Sequence, residues 1–458
     1  MKESHSLELD GKQVAVIGLG RSGTAAIRLL VMLGARVAVA DQKPLAELSA
    51  ILGGLQGGNV RLYGDGAYQE ALAGADVALI SPGVPMALPP MQRAIAAGIR
   101  IIGEVELASR FLSGKLIGVT GTNGKSTTVT LIGELLRASG FEPFVGGNLG
   151  TPLTEAALAS IRGRRWDMVV AEVSSFQLET IETFHPWIGA ILNITPDHLD
   201  RYPSMEGYAA AKARLFENQT ALDFAVLNAD DPGLARFAPQ SRGTRAQFSR
   251  KGPVPFGVFL DGDAIVSNLS GRREEVCRVG DLQLRGVHNL ENVMAATAIA
   301  ELAGCSLDNI AAALRLFQGL EHVMEVVRVL RGVTYINDSK GTNVDATIKA
   351  LESLQGPVIL IAGGREKGGD YPGLTDAVRR RTKRVILIGE ARPHLAKILQ
   401  GVCPISEAES LADAVRQAAN EAGPGDTVLL SPVCASFDMF ADYKDRGQQF
   451  RERVNELA

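Results

Sequence analysis

The chain has 458 residues, 46% of them hydrophobic and 21% charged, with a formal net charge of -4. That balance supplies several packed cores, length suggests about three domains, and the charge leaves no basic field for nucleic acid or anionic lipid. Four scattered cysteines (Cys277, Cys305, Cys403, Cys434) form no CxxC pair, which argues against a zinc site and against a secreted disulfide framework. The first residues lack the apolar core of a signal peptide, and no apolar run reaches the ~18 residues that span a bilayer. The chain reads as soluble and cytoplasmic, with no nucleic-acid or membrane partner.

Short apolar runs ending in Gly, Ser, Asn or Asp recur along the chain, with helix-length segments between them. Such runs fit strands buried on both faces, so the expected fold class is α/β with mostly parallel sheets. Residues 1–109 form the first unit, a Rossmann-like domain that opens with QVAVIGLG. Its turn Gly18-Leu19-Gly20-Arg21-Ser22-Gly23 follows a strand and opens a helix, and Asp41 ends the next strand, Arg36 to Ala40. These are the marks of a site for a nucleotide diphosphate, with the acid placed for a ribose hydroxyl. The glycine pattern alone leaves two readings open: an NAD-dependent oxidoreductase, or an ATP-consuming ligase whose substrate carries its own nucleotide diphosphate.

Residues 110–318 form a central P-loop domain. The strand Lys115 to Val119 runs into Gly121-Thr122-Asn123-Gly124-Lys125-Ser126-Thr127, and a helix from Ser126 to about Ser139 follows. Two glycines let backbone amides cradle phosphate, Lys125 reaches the β- and γ-phosphates, and the Ser126 hydroxyl is placed for Mg²⁺. The loop therefore predicts ATP binding, although Val119 rather than glycine stands five positions before Gly124. Glu172 closes the run from Met168 and supplies the strand-end carboxylate that such a loop needs for Mg²⁺. Asp197 and His198 form a second polar cluster after the run Ile191 to Ile194. Lys212, read from its own helix, is a solvated lysine. Gln247 to Val287 alternates apolar residues with Asp-Gly turns and reads as a small antiparallel hairpin appendage. Residues 319–458 carry four further strand-like runs and form a second Rossmann-like domain.

The segments VTGTNGKST, VGGNLGTP, AEVSSFQLE, NITPDHLDRY, AAKARLFE, GVHNLENVMAA, NDSKGTN, GGREKGGD and SPVCASFDMF occur in one order along the chain. In that order they resemble the Mur ligase family, ATP-dependent enzymes of peptidoglycan precursor synthesis, and the likeness covers all three units. NDSKGTN and SPVCASFDMF resemble the segments of members that add D-glutamate to UDP-N-acetylmuramoyl-L-alanine; a sibling adding another amino acid is the alternative. The resemblance implies that the γ-phosphoryl of ATP passes to a substrate carboxylate, that an acyl phosphate forms, and that the amine then attacks it. It also implies two Mg²⁺ ions and a monomer that closes around its substrates.

By the same resemblance Lys125, Glu172, His198 and Lys212 are catalytic, and Ser126, Glu172, His198 and a carbamylated Lys212 hold metal. Asn289, Asn292 and Asp338 join the phosphate loop in holding ATP. Gly20, Arg21, Ser22, Asp41, Ser81, Gly83, Asn148 and Ser174 hold the UDP-substrate. Lys340, Thr342, Lys367, Ser436 and Phe437 hold D-glutamate. The chain departs from the family at Val323, where an arginine usually follows the histidine, and Arg328 and Arg365 are the candidates to compensate. Gly341 and Val433 replace commoner alanines.

Overall fold

The valine-, isoleucine- and alanine-rich runs become buried strands in three sheets in the computed structural model. It describes the chain apart from residues 1–6, 56–58, 149, 199–200, 232, 235–240, 285, 367–370 and 372. The first sheet is parallel, in the order Val60–Tyr63, Arg36–Ala40, Gln13–Ile17, Val77–Ile80, Arg100–Gly103. The direction of winding reverses between Gln13–Ile17 and Val77–Ile80. That switch opens a crevice at the carboxyl ends of both strands, where Gly18 and Ser81 stand.

The second sheet has nine strands. Lys115–Thr120 lies between Met168–Glu172 and Ile188–Ile191, all parallel, so the phosphate loop, Glu172 and the 193–198 segment emerge at one edge. The expected antiparallel addition is present, but it begins later than the sequence pattern suggests. Thr244–Ser249 and Gly257–Asp261 still run parallel, and only the meander through Ala264–Ser267 and Glu274–Arg278 is antiparallel. It extends the same sheet. The third sheet runs Glu325–Leu330, Val333–Asn337, Thr427–Leu430, Val358–Gly363, Thr382–Ile388, Ile405–Glu407, with only the first pair antiparallel. Its first and last strands escaped the sequence reading, because partial burial leaves them without a continuous apolar run.

The units meet in two different ways. Helices Arg21–Met32, Glu104–Ser109 and Leu153–Ile161 pack on one another and bury Leu29, Leu107, Leu153 and Ala157 in a core shared by the first and second sheets. Glu106, fully buried there, accepts from the amides of Glu182 (2.8 Å) and Phe184 (2.9 Å) and pairs with Arg110 at 2.6 Å. Burial alone would raise its pKa, yet these partners hold it below the usual carboxylate value. The third sheet has its own cores, and polar side chains bond it to the second unit. Asn123 Nδ2 donates to Asp345 Oδ2 at 2.6 Å, and Thr195 Oγ1 donates to the same oxygen at 3.1 Å. Among the described residues no helix is long and apolar enough to cross a membrane.

An apolar shared core makes the first two units one cooperative body. Leu107→Ala is expected to destabilise that body by about 2–5 kcal/mol in guanidinium unfolding. A loss under about 1 kcal/mol would show that the junction is not a packed core.

Candidate active site

The phosphate loop is set by local geometry. Gly121 (φ 151°) and Gly124 (φ 84°) take backbone conformations that side chains rarely adopt. A Cβ on Gly124 would lie 2.1 Å from Asn292 Oδ1. Helix Lys125–Ala138 follows at once, pointing its N-terminal amides at the loop. Asn193, just beyond Ile188–Ile191, braces the turn: its Oδ1 accepts from the Asn123 amide at 2.9 Å, and its Nδ2 donates to the Asn123 carbonyl at 3.1 Å.

Glu172 is buried at the end of its strand. Ser126 Oγ donates to its Oε2 at 2.6 Å and Asn148 Nδ2 donates to its Oε1 at 2.9 Å. The Lys340 ammonium, brought by the third unit, bonds the Ser126 hydroxyl. Burial lowers the Lys340 pKa to about 8 against the opposing pull of Glu172. Lys125 Nζ donates to the carbonyls of Gly121 (2.9 Å) and Thr122 (2.7 Å).

Lys212 is not a solvated lysine. It is 1% exposed, its Nζ donates to the Gly121 carbonyl at 2.9 Å, and it lies 4.6 Å from the centre of the Tyr208 ring. Burial, reinforced by the nearby Lys125 charge, depresses its pKa well below the usual lysine value. Such an amine is poised to be neutral and nucleophilic. His198 stands at φ 56°, its Nε2 3.6 Å from Asp197 Oδ2.

Lys125, Ser126, Glu172, His198 and Lys340 line a cleft of about 280 Å³ with Asn289, Asn292, Asp338, Thr342 and Tyr443, while Lys212 lies buried behind the loop. The two asparagines do not cap their helix: the cap position is Gly286, without a side-chain bond, and both lie buried within Val287–Leu302. Asp338 accepts from Ser431 Oγ (2.8 Å) and the Met324 amide (3.2 Å), and burial pushes its carboxyl up to about 7. Tyr443 escaped the sequence reading. Its phenol is pushed up to about 12 by burial, and the Lys340 ammonium lies 5.7 Å from its ring centre.

A second cavity, of about 420 Å³, gathers Gly20, Arg21, Ser22, Asp41, Ser81 and Gly83 at the switch point of the first sheet. Ser81 Oγ donates to the Gly18 carbonyl at 2.8 Å, and Asp41 Oδ2 accepts from the Leu19 amide at 2.6 Å. Arg21 reaches the Gly150 carbonyl of the central unit.

Other expected residues are placed elsewhere. Asn148 stands on Glu172, in the first cleft. Ser174 caps helix Ser175–Leu178 in a reciprocal box with Gln177 and lines neither cavity. Ser436 is buried and Phe437 is 63% exposed, both outside the cleft lining. Lys367 lies outside the described residues. Arg328 donates to the Leu457 carbonyl at 2.9 Å and Arg365 pairs with Glu390 at 3.1 Å. Neither candidate for compensation lines the cleft beside Val323.

The donor set suits a hard cation: Ser126 and Glu172 oxygens adjoin, and His198 shares their cleft. Among the described residues there is no cluster of three or more His, Cys, Asp or Glu. A metal here would depend on the hydroxyl and on a modified lysine as well.

Comparison with known proteins gives a full-length match. Models of the Mur ligase MurD-like N-terminal domain, the Mur ligase middle domain and the Mur ligase glutamate ligase domain match residues 12–103, 119–300 and 324–434. The UDP-N-acetylmuramoylalanine–D-glutamate ligase of Syntrophotalea carbinolica is 46% identical over 98% of this chain and 99% of its own. That of Pelotomaculum thermopropionicum is 46% identical over 97% of this chain and 98% of its own. Among solved structures, a MurF ligase from Thermotoga maritima in complex with ADP shares the fold, with a TM-score of 0.60 and 16% identity over 99% of this chain and 98% of that one.

Gly124→Ala is expected to abolish ATP-dependent turnover, since the added methyl meets Asn292 and the backbone is strained besides. Turnover within tenfold of wild type would show that the loop geometry is not required.

Proposed function

The chain belongs to the Mur ligase family, and on that footing we propose that it joins D-glutamate to UDP-N-acetylmuramoyl-L-alanine at the expense of ATP, in peptidoglycan precursor synthesis. The observation that carries the reading is the full-length likeness to D-glutamate ligases, joined to a cleft where the phosphate loop meets Lys340 of the third unit. The fold and the two cavities divide the work. Residues 1–109 hold the uridine diphosphate end at Gly20, Arg21, Ser22, Asp41, Ser81 and Gly83. Residues 110–318 hold ATP, and residues 319–458 bring D-glutamate to Lys340 and Thr342.

In the first step a carboxylate oxygen of the UDP-substrate attacks the γ-phosphorus, and the bond to the ADP oxygen breaks. A carboxylate is already a nucleophile, so the step needs alignment and charge neutralisation rather than a general base. Lys125, which bonds the loop carbonyls, and the loop amides would supply both. The amine of D-glutamate then attacks the acyl carbon, and the carbon–oxygen bond to phosphate breaks to leave an amide. Mg²⁺, when bound at Ser126, Glu172, His198 and a carbamylated Lys212, would offset charge on the phosphoryl oxygens. The buried amine of Lys212 is suited to that modification, because carbamylation turns a poorly solvated cation site into an oxygen donor.

Polar contacts between the second and third units, set against the apolar junction of the first two, support closure of the third unit over the cleft. The reading is of a cytoplasmic monomer, since its substrates are small soluble molecules and one chain supplies both sides of the cleft. An NAD-dependent oxidoreductase gains nothing from the full-length likeness.

Phosphate release with ATP and UDP-N-acetylmuramoyl-L-alanine is expected with D-glutamate and to fall by at least tenfold with L-glutamate, L-alanine or a diamino acid. Equal or greater release with one of the others would identify a sibling ligase instead.

A further inference from the structure

One face of helix Val344–Ser353 turns Ala346, Lys349 and Ala350 into the nucleotide cleft that Asn289 and Asn292 also line. Val323, Met324 and Glu291 line the same cleft. Lys349 Nζ lies 3.0 Å from Asp345 Oδ2, one helical turn earlier. That same oxygen accepts from Asn123 Nδ2 at 2.6 Å and from Thr195 Oγ1 at 3.1 Å. Asn123 is part of the phosphate loop itself. The carboxylate thus pins the helix to the loop and holds the ammonium one contact away from the place where phosphates are cradled.

The chemistry favours an anion at this point. Asp345 already receives two neutral donors and gains little from a third partner that is half-buried and costly to order. An ammonium lining a cleft built for a polyphosphate has more to gain from the ligand, because the surrounding protein weakens solvent screening. The other cleft lysines sit at the reacting end: Lys125 on the loop carbonyls and Lys340 on Ser126.

We propose that Lys349, held against the phosphate loop by Asp345, is a nucleotide-binding residue that the third unit contributes across the cleft, contacting the anionic phosphates of ATP. This rests on the ligase reading of the cleft. It makes Asp345 a positioning residue and makes nucleotide affinity depend on where the third unit sits.

The test is steady-state kinetics of Lys349→Ala and Lys349→Gln with the other two substrates saturating. Calorimetric titration of ADP accompanies it, with UDP-N-acetylmuramoyl-L-alanine and D-glutamate present. Expected are a rise of about tenfold in the KM for ATP and a matching loss of ADP affinity. The KM values for the other substrates should stay within twofold, and Lys349→Arg should recover most of the loss. Adenosine, lacking phosphates, should bind wild type and variants alike. The Gln variant keeps the aliphatic stem and serves if the Ala variant misfolds. An ATP KM and ADP affinity within twofold of wild type would overturn the proposal. So would a joint rise of all three KM values, which marks a general closure defect, or an equal loss of adenosine binding. Wild type without ATP-dependent phosphate release would instead defeat the ligase reading and leave the ADP titration to judge Lys349 alone.

Discussion

A carboxylate buried at a strand end has to be satisfied, and at Glu172 that requirement draws the site together. Its two oxygens take the Ser126 hydroxyl from the phosphate-loop helix and the Asn148 amide from the loop after Pro143–Gly147. Ser126 in turn meets Lys340 from the third unit. Unpaired, such a group would cost several kcal/mol in a low-dielectric interior. Moving any one of these segments therefore disturbs the others. The electrostatics follow from the same enclosure: burial lowers the pKa of Lys340 and, more severely, of Lys212. A cleft whose lysines lose solvation on burial is suited to ligands that bring negative charge with them.

The contrast between the two inter-unit junctions gives the molecule its mechanical character. A core of Leu29, Leu107, Leu153 and their neighbours cannot slide without exposing apolar surface. The contacts of Asn123, Thr195 and Asp197 with Asp345 and Asn343 are polar and can exchange for water at small net cost. The cavity at Gly18 and Ser81 is thereby fixed relative to the phosphate loop, while the junction with the third unit is the softer of the two. A two-step reaction with a hydrolysable intermediate calls for that arrangement.

Much of this was legible in the sequence because the signals are local. Strand, glycine turn and helix stand contiguous at Lys115–Ala138, and Gly20, Arg21, Ser22 and Asp41 lie on the first two strand ends. The burial of Lys212 was not legible from its own helix, which is alanine-rich, so it depends on Tyr208 and the distant Gly121 carbonyl rather than on any periodic pattern; only the family resemblance singled the residue out. Ser174 and Gln177 have the spacing of a capping box, a local signal that the structure realises at helix Ser175–Leu178. Asn148 stands on Glu172 because its strand end pairs beside that carboxylate, a register that only sheet pairing reveals. Asp345 and Lys349 have only the spacing of an i,i+4 pair, and the partners of Asp345 at Asn123 and Thr195 lie far away in sequence.

The central claim is that one cleft activates a carboxylate as an acyl phosphate and then passes it to an amine. Oxygen tracing tests this directly: UDP-N-acetylmuramoyl-L-alanine carrying ¹⁸O in its terminal carboxylate is turned over with ATP and D-glutamate, and the released phosphate is analysed by mass spectrometry. The account predicts that one labelled oxygen per turnover appears in inorganic phosphate and that ADP is the nucleotide product. Unlabelled phosphate, or label recovered in AMP, would contradict it.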